Sequence, residues 1–329
     1  MQSVKSFTDI LPTLNEANFD DIALKLFLFQ AENNPIYHSY LKHLAVDPSK
    51  IAAIEQIPFL PISFFKSHLI KTGNWETEIL FSSSGTTGSM TSQHAIFDLS
   101  FYLSHSQRLF ESNYGTLQSY NLLALLPSYL EREGSSLIAM IDHFIKQSQS
   151  DYSGFYLNNQ EELLQKIASL KSDKRKTLLW GVSFALLDLA ERFEVDLSHC
   201  IVMETGGMKG RRKEWVRKEL HQFLTTRFNC ESIHSEYGMT ELLSQAYSKN
   251  DGLYEPPKSI KVMIRDINNP FMTLGYGRLG AISIIDLANA HSCAFIETQD
   301  LGKLGQNGYF EVLGRMDNSD IRGCNLLVG

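Results

Sequence analysis

Residues 80–89 read LFSSSGTTGS and combine two glycines with a run of serines and threonines. Glycine lets a backbone approach a ligand closely, while hydroxyl and backbone N–H groups donate hydrogen bonds to phosphate oxygens. The segment therefore predicts a phosphate-binding loop, although alone it is equally typical of a solvated turn. It is not the loop of P-loop NTPases, because no lysine follows the second glycine. The predicted phosphate-binding residues are Ser82, Ser83, Ser84, Gly85, Thr86, Thr87 and Gly88.

Four further segments downstream hold residues that could contact a nucleotide. They are ETGGMK at 204–209, YGMTE at 237–241, ETQDLG at 297–302 and GRMDNSDIRG at 314–323. Singly, such segments are more often turns or surface ion pairs. In this order and spacing, they resemble the motifs of the adenylate-forming superfamily, which includes acyl-CoA synthetases, nonribosomal peptide adenylation domains and luciferases. The resemblance extends from about residue 57 to residue 323.

The resemblance implies ATP-dependent activation of a carboxylic acid, in which the carboxylate attacks the α-phosphate and pyrophosphate leaves. It implies that residues 82–88 embrace the β- and γ-phosphates. The turn formed by Gly206 and Gly207, after a predicted strand at 200–205, would let the backbone pass close to the adenine ring. Tyr237, followed by Gly238, would stack on adenine.

The same resemblance assigns the remaining motif residues. Thr240 would contact the α-phosphate, and Glu241 would hold Mg²⁺ through a carboxylate oxygen. Asp300 and Arg315 would bind the ribose hydroxyls. ATP and Mg²⁺ are the cofactors that the motifs imply.

The two ends of the matching region, near residues 57 and 323, resemble one particular branch of the superfamily. Full-length members of the superfamily carry a mobile C-terminal subdomain with a catalytic lysine, and we expect it to be absent because the chain stops six residues after Gly323. In total length, in IPFLPISFFK at 57–66 and in RGCNLLV at 322–328, the sequence is similar to the LuxE-type acyl-protein synthetases, the fatty-acid ligases of bacterial luminescence. In that family a cysteine near the C-terminus takes the acyl group as a thioester, and Cys324 matches it. The alternative for Cys324 is a small buried hydrophobic residue.

Without the subdomain lysine, another cation is needed at the α-phosphate. Lys209, Arg211 and Arg212 follow the glycine turn directly, and Lys66 is a more remote candidate. The alternative is that these residues form the basic start of a solvated helix, although cations are unfavourable at a helix N-terminus. We predict Lys209 as the catalytic cation.

The composition restricts the class of protein. With 43% hydrophobic residues and a net charge of −7 among 329 residues, the chain is globular and unsuited to nucleic acid. Its four cysteines, Cys200, Cys230, Cys293 and Cys324, form no CxxC pair, which argues against a zinc site and a disulfide framework. No signal sequence or membrane-spanning apolar run is visible, so we predict a cytoplasmic protein without membrane insertion.

Apolar periodicity predicts an α/β fold. β-prone runs at 120–126, 151–157, 177–183, 200–205 and 232–234 alternate with helical patterns, and the clearest helix is predicted over 211–228. Further strands are predicted at 259–267, 281–287, 293–298 and 309–313. We therefore predict one domain over 1–329, resembling the large domain of adenylate-forming enzymes, with a mainly helical part at 1–80 and a β-rich part at 252–329.

The predicted activity is that of an acyl-protein synthetase acting on a carboxylic acid, for which the resemblance implies a fatty acid. An acyl reductase or a carrier protein would be the acceptor partner. The alternatives are a phenylacetate-type acyl-CoA ligase that lacks its C-terminal subdomain, and a non-catalytic nucleotide- or acyl-binding protein. His94 and His234 lie close to motifs and could line the carboxylate pocket, with a structural role as the alternative.

Overall fold

The computed structural model describes residues 4–83, 91–127, 134–206 and 215–316. Two compact units divide the chain. The first unit consists of residues 1–76 and 256–329, and the second unit of residues 77–255. That the whole chain acts as a single domain stays a prediction.

Helices and strands are both abundant in the described residues. The α-helices are α1 (Val4–Asp9), α2 (Glu16–Asn33), α3 (Pro35–His43), α4 (Phe64–Ser67), α5 (Leu99–Tyr114), α6 (Ser136–Ser148), α7 (Gln160–Ser169), α8 (Ser183–Arg192) and α9 (Arg217–Phe228). The strands are β1 (Leu60–Pro61), β2 (Ile79–Ser82), β3 (Gln93–Ile96), β4 (Tyr120–Leu125), β5 (Gly154–Phe155), β6 (Lys176–Val182), β7 (Cys200–Thr205), β8 (Ile233–Tyr237), β9 (Ala246–Ser248), β10 (Leu253–Tyr254), β11 (Ile260–Arg265), β12 (Gly280–Asp286), β13 (Phe295–Leu304) and β14 (Phe310–Arg315). None of the helices described is both long and apolar enough to cross a bilayer.

In the second unit, β5, β4, β6, β7 and β8 form a parallel sheet in that order, and β9 pairs antiparallel with β8. β4 is buried along its whole length, as expected for a parallel sheet covered on both faces. The alternation of apolar runs and helical patterns predicted most of this sheet, although β5 is shorter than the predicted run 151–157. β2 and β3 form a separate antiparallel hairpin that the periodicity missed.

The predicted start of the helix over 211–228 is wrong. α9 begins at Arg217, and Val216 before it has extended backbone angles (φ −63°, ψ 133°) as the N-cap residue. Val216 is therefore 63% exposed and does not belong to the apolar face. Residues 211–214 lie outside the described part of the chain. The buried face consists of Leu220, Leu224 and Phe228.

In the first unit, β11, β12, β13 and β14 form an antiparallel sheet, and the short β1 pairs parallel with β13. β13 is longer than the predicted strand 293–298 and includes the DLG triplet at 300–302. The alternative of a turn at this triplet is therefore wrong. A register shift between Leu301 and Gly302 accommodates the triplet within the strand.

The side-chain amide of Gln30, which is buried, joins helix α2 to the segment that connects β12 and β13 of this sheet. The Nε2 atom of Gln30 donates to the carbonyl oxygens of Asn289 (3.0 Å) and Ala290 (3.1 Å), and its Oε1 atom accepts from the backbone N–H of Ala294 (2.9 Å). Gln30 is completely buried. Asn34 adds a hydrogen bond of 2.8 Å to the carbonyl oxygen of Ser292. These bonds hold helix and sheet in one body.

Replacement of Gln30 by leucine is expected to destabilise the first unit by about 3 kcal/mol, because backbone groups that cannot reach water lose their partners. Urea denaturation of the variant measures this loss. Gln306→Leu, in an exposed turn of the same unit, is the matched control and should change stability by no more than about 0.5 kcal/mol. Equal effects of the two substitutions would contradict the role given to Gln30.

Candidate active site

The carboxyl ends of β7 and β8 bring several predicted site residues to one edge of the parallel sheet. Thr205 and Glu236 are register partners on these neighbouring strands. Gly206, which follows β7, therefore lies at the same level of the sheet as Tyr237, the last residue of β8. Gly206 has a φ of +70°, a conformation that favours glycine. In α/β sheets this edge is the usual place for a ligand.

Two buried carboxylates lie just inside this edge. Glu204 is 5% exposed and accepts hydrogen bonds from the hydroxyls of Ser183 and Ser235, the latter at 3.2 Å. Glu236 is 6% exposed and accepts a hydrogen bond from the Thr205 hydroxyl. Because a buried carboxylate is costly without partners, these bonds fix the strand ends that lead into the motifs.

The electrostatics of Glu204 favour its ionised form. Burial alone would raise the pKa of this carboxyl, but the His221 ring, the positive charge of Arg217 and the Ser183 hydroxyl hold that pKa below its ordinary value. The Nε2 atom of His221 lies 3.8 Å from the Glu204 carboxylate. A negative charge is therefore kept under the turn that begins at Gly206.

Neither Glu204 nor Glu236 was among the predicted site residues. One signal for Glu204 was available, because an ionisable residue inside the apolar run 200–205 requires a partner. Its main partner, Ser183, lies on α8 after another strand, and nothing in the sequence pairs the two. A Cβ atom at Gly238 would clash with the Glu236 Oε1 atom, so a side chain there would require this carboxylate to shift.

The hydroxyl-rich segment begins on the β2–β3 hairpin. The N–H of Ser83 donates to the carbonyl oxygen of Ser92 (3.0 Å), and the N–H of Ser92 donates to the Ser83 Oγ atom (2.9 Å). Ser82 is also anchored, by a bond of 2.7 Å from its N–H to the carbonyl oxygen of Gly134. Ser83, at the start of the predicted phosphate loop, and Ser92, four residues after its last position, are thus fixed side by side.

A buried histidine connects this hairpin to the YGMTE segment. The Nδ1 atom of His94 on β3 donates to the carbonyl oxygen of Thr240 at 2.8 Å, across 146 positions of sequence. Burial lowers the pKa of His94 to about 4, so that the ring is neutral near pH 7. His234 is likewise neutral, since burial lowers its pKa to about 4, and its Nδ1 atom lies 3.1 Å from the Tyr114 hydroxyl. Both rings have hydrogen-bond partners within the protein, which agrees with a structural role.

The polar residues of the YGMTE segment differ in their exposure to solvent. Tyr237 is 8% exposed, and the centroid of its ring lies 5.7 Å from the ring centroid of Tyr254. Thr240 is half-buried, whereas Glu241 is 6% exposed. Among the residues described, no group of three or more His, Cys, Asp or Glu side chains could hold a metal ion. A single carboxylate at Glu241 still fits Mg²⁺, which commonly binds one or two carboxylates together with substrate phosphates.

Asp300 and Arg315 face each other in the first unit. They are register partners on β13 and β14, and the Arg315 Nε atom lies 3.7 Å from the Asp300 Oδ1 atom. The Thr298 hydroxyl accepts a hydrogen bond from the Asp300 N–H (3.1 Å) and donates to the carbonyl oxygen of Ile282 (2.7 Å). The Arg315 side chain is 64% exposed and that of Asp300 is 14% exposed. The structure brings together the two residues that were predicted to bind ribose.

Several predicted residues lie outside the part of the chain that the structure describes. They are Ser84, Gly85, Thr86, Thr87, Gly88, Gly207, Lys209, Arg211, Arg212 and Cys324. Lys66, the remote candidate cation, is exposed on α4 in the first unit.

The other cysteines have unreactive environments. Burial raises the pKa of Cys200 to about 12, of Cys230 to about 11 and of Cys293 to about 12. Because the thiolate is the nucleophile, these thiols are poor acyl acceptors at neutral pH.

No protein-family model matches the sequence, and no curated protein matches it either. Solved structures do share its fold. ATP-bound MatB from Rhodopseudomonas palustris is 17% identical, with a TM-score of 0.54, over 74% of this chain and 49% of that one. A 2-hydroxyisobutyryl-CoA ligase in complex with 2-HIB-AMP and CoA is 14% identical, with a TM-score of 0.67, over 93% and 77% of the two chains. The AMP complex of the O-succinylbenzoate coenzyme A synthetase MenE from Bacillus subtilis is 18% identical, with a TM-score of 0.50, over 74% and 50%.

These likenesses confirm the predicted α/β fold class, that of the adenylate-forming enzymes. Membership of the adenylate-forming superfamily, and the narrower resemblance to LuxE-type synthetases, stay predictions. The chain spans about half the length of the MatB structures it matches.

The buried histidine gives the second unit a testable pH dependence. The pKa of His94 is about 4 in the folded state and about 6.5 when exposed. As the pH falls below 6.5, the unfolded chain binds a proton that the folded one does not, so stability is lost. His94→Asn keeps a donor for the Thr240 carbonyl without titrating. Between pH 7.5 and 4.5 the variant should lose about 2 kcal/mol less stability than the wild type, as measured by urea denaturation.

The exposed neighbour Gln93 provides the control, since Gln93→Asn changes no titratable group. That variant should lose as much stability as the wild type over the same pH range. Equal losses in the His94 and Gln93 variants would refute a neutral, buried His94.

Proposed function

We propose that the chain activates a carboxylic acid with ATP and transfers the acyl group to a protein thiol, as an AMP-forming acyl-protein synthetase of the LuxE type. The observation that carries the proposal is the His94–Thr240 hydrogen bond, which holds the hydroxyl-rich hairpin against the YGMTE segment. The hairpin that leads into the predicted phosphate loop is thereby a neighbour of the YGMTE segment, which supports a shared role in binding the triphosphate. The shared fold with ligases solved with ATP, AMP or an acyl-AMP agrees with this reaction.

In the first step a carboxylate oxygen of the acid attacks the α-phosphorus of ATP. The bond from that phosphorus to the bridging oxygen breaks, and pyrophosphate leaves with the electron pair. Residues 82–88 hold the β- and γ-phosphates, Thr240 contacts the α-phosphate, and Glu241 holds Mg²⁺. The metal ion, when bound, neutralises charge on the phosphates.

The nucleoside is held by the remaining motif residues. The backbone at Gly206 and Gly207 lies along adenine, and Tyr237, with Gly238 behind it, stacks on the ring. The Asp300 carboxylate accepts hydrogen bonds from the ribose hydroxyls, and Arg315 completes this contact. Such positioning supplies much of the rate in phosphoryl transfer.

Lys209 supplies the positive charge at the α-phosphate, with Arg211 and Arg212 beside it. Charge builds on the phosphate oxygens as the carboxylate attacks, and a nearby cation stabilises that charge. This role requires that Lys209→Ala slows acid-dependent pyrophosphate release more than it weakens ATP binding.

In the second step the thiolate of Cys324 attacks the acyl carbon, and AMP leaves with the electron pair of the broken bond. The environments of the other three cysteines support this choice, since burial keeps Cys200, Cys230 and Cys293 protonated. The acid is a fatty acid, and the acyl group passes on to an acyl reductase or a carrier protein. A cytoplasmic location suits a thiol in this role.

Incubation with ATP, Mg²⁺ and radiolabelled acids of graded chain length, without coenzyme A, tests the proposal. We expect a labelled protein band that hydroxylamine removes, because hydroxylamine cleaves thioesters. Cys324→Ser should abolish the band and leave pyrophosphate release intact. Cys230→Ser, which removes a half-buried thiol, is the control and should leave both signals unchanged.

Other outcomes separate the alternatives. Pyrophosphate release without a band, followed by discharge on addition of coenzyme A, would identify an acyl-CoA ligase, an activity favoured by the coenzyme A bound in the 2-hydroxyisobutyryl-CoA ligase structure. ATP binding without pyrophosphate release for any acid would identify a non-catalytic binding protein.

Asp300→Asn tests the ribose site. The amide keeps the size of the side chain but loses a charged acceptor, and hydrogen bonds to charged groups contribute about 1.5–3 kcal/mol. The KM for ATP in pyrophosphate release should therefore rise about tenfold or more, with a smaller change in kcat. Glu311→Gln on β14 removes the same charge from a partly exposed position and should leave the KM within about twofold. An unchanged KM in Asp300→Asn would remove Asp300 from the site.

A further inference from the structure

A separate cavity lies on the antiparallel sheet of the first unit. Its volume is about 60 Å³, several times the space that one water molecule needs. Met263, Ser283 and Glu297 form its floor, because they are register partners on the adjacent strands β11, β12 and β13. Arg265 lies on the same face, two positions beyond Met263.

Two buried polar atoms of the cavity lining have no hydrogen-bond partner among the described residues. They are the Nε atom of Arg265 and the Oγ atom of Ser283. Arg265 is 5% exposed and Ser283 is 2% exposed, so bulk water does not satisfy these atoms. Buried polar atoms are nearly always hydrogen-bonded, and two unpaired donors on one cavity indicate a missing acceptor.

The charge of Arg265 is already balanced. Its Nη2 atom lies 2.9 Å from the Glu297 carboxylate and also donates to the carbonyl oxygen of Thr298 at 3.1 Å. An anion at the free Nε–H would lie beside the Glu297 carboxylate, and Glu55 adds a second negative charge to the lining. A neutral acceptor avoids this repulsion.

Two chain segments form the walls of the cavity and are held in place by the protein. One wall is the segment 57–59, whose carbonyl oxygens at Pro58 and Phe59 accept hydrogen bonds from the hydroxyls of Tyr37 (2.6 Å) and Tyr40 (3.0 Å). The other wall is the segment 270–273, which pairs with β11 through an isolated bridge between Arg265 and Thr273. The cavity thus combines apolar side chains, such as those of Ile57 and Pro270, with a few convergent polar groups, as small-molecule sites do.

We propose that this cavity binds a small neutral molecule that presents a carbonyl or amide oxygen to Arg265 and Ser283, with its apolar part between the two walls. The site goes beyond the proposed acid activation, because no residue assigned to ATP, to Mg²⁺ or to acyl transfer lines it. Failure of either proposal leaves the other intact.

Saturation-transfer NMR with the full chain tests the site, with isobutyramide, isobutyrate and isobutylammonium as probes of equal shape and different charge. Only isobutyramide should bind. Ser283→Ala removes one unpaired hydroxyl, so it should weaken binding about fivefold without lowering the thermal stability of the free protein. Thr273→Trp, at an exposed position of the rim, should abolish binding. Asn268→Trp, on the same loop but outside the lining, should leave binding unchanged.

Three results would overturn the proposal. One is the absence of isobutyramide binding to the wild-type chain. Another is preferred binding of isobutyrate, which would make Arg265 an anion site. The last is equal isobutyramide binding by the wild type and the Thr273→Trp variant, which would place the probe elsewhere.

Discussion

Two carboxylates buried at the ends of neighbouring parallel strands constrain the candidate active site. Removing an ionised carboxylate from water costs several kcal/mol, and only well-placed donors recover that cost. Glu204 obtains hydrogen-bond donors from α8 and β8 and a nearby positive charge from Arg217 of α9, and Glu236 obtains a donor from β7. The strands therefore have to end in one register, and that register sets where the chain turns at Gly206 and after Tyr237. The geometry of the edge follows from these charges before any ligand is considered.

The sequence predicted those features that depend on local pattern. The strand Cys200–Thr205 was predicted to the residue, because a short and mainly apolar run between polar turns is typical of a buried parallel strand. The motif order also led to the correct fold class. Local periodicity did not predict structure that depends on pairing with neighbouring strands. The triplet beginning at Asp300 reads as a turn, yet it lies within β13 because β12 and β14 pair with it on either side.

Contacts between distant residues could not be predicted at all. His94 and Thr240 are joined through a backbone carbonyl, an acceptor that every residue carries, so no residue type marks the pair. Likewise, the family motif named Asp300 and Arg315 separately, whereas their facing positions depend on the register shift between Leu301 and Gly302 in the pairing of β13 with β14. The unpaired atoms of Arg265 and Ser283 are a further example, because whether a polar atom lacks a partner is visible only after the strands have paired.

The hydrogen bonds from Gln30 and Asn34 to residues 289–294 also bear on how the chain folds during its synthesis. The two helices and the sheet they join are separated in the gene by the whole of the second unit, which is continuous and can fold as soon as it has left the ribosome. The N-terminal helices cannot pack against residues 289–294 until that part of the chain has been synthesised. At translation rates of about 5–20 residues per second, the delay is on the order of ten to forty seconds. During that interval the apolar side of α2, including Phe27 and Leu26, has no sheet to cover it. The order of the sequence thus makes the N-terminal segment the natural client of a chaperone that binds nascent chains.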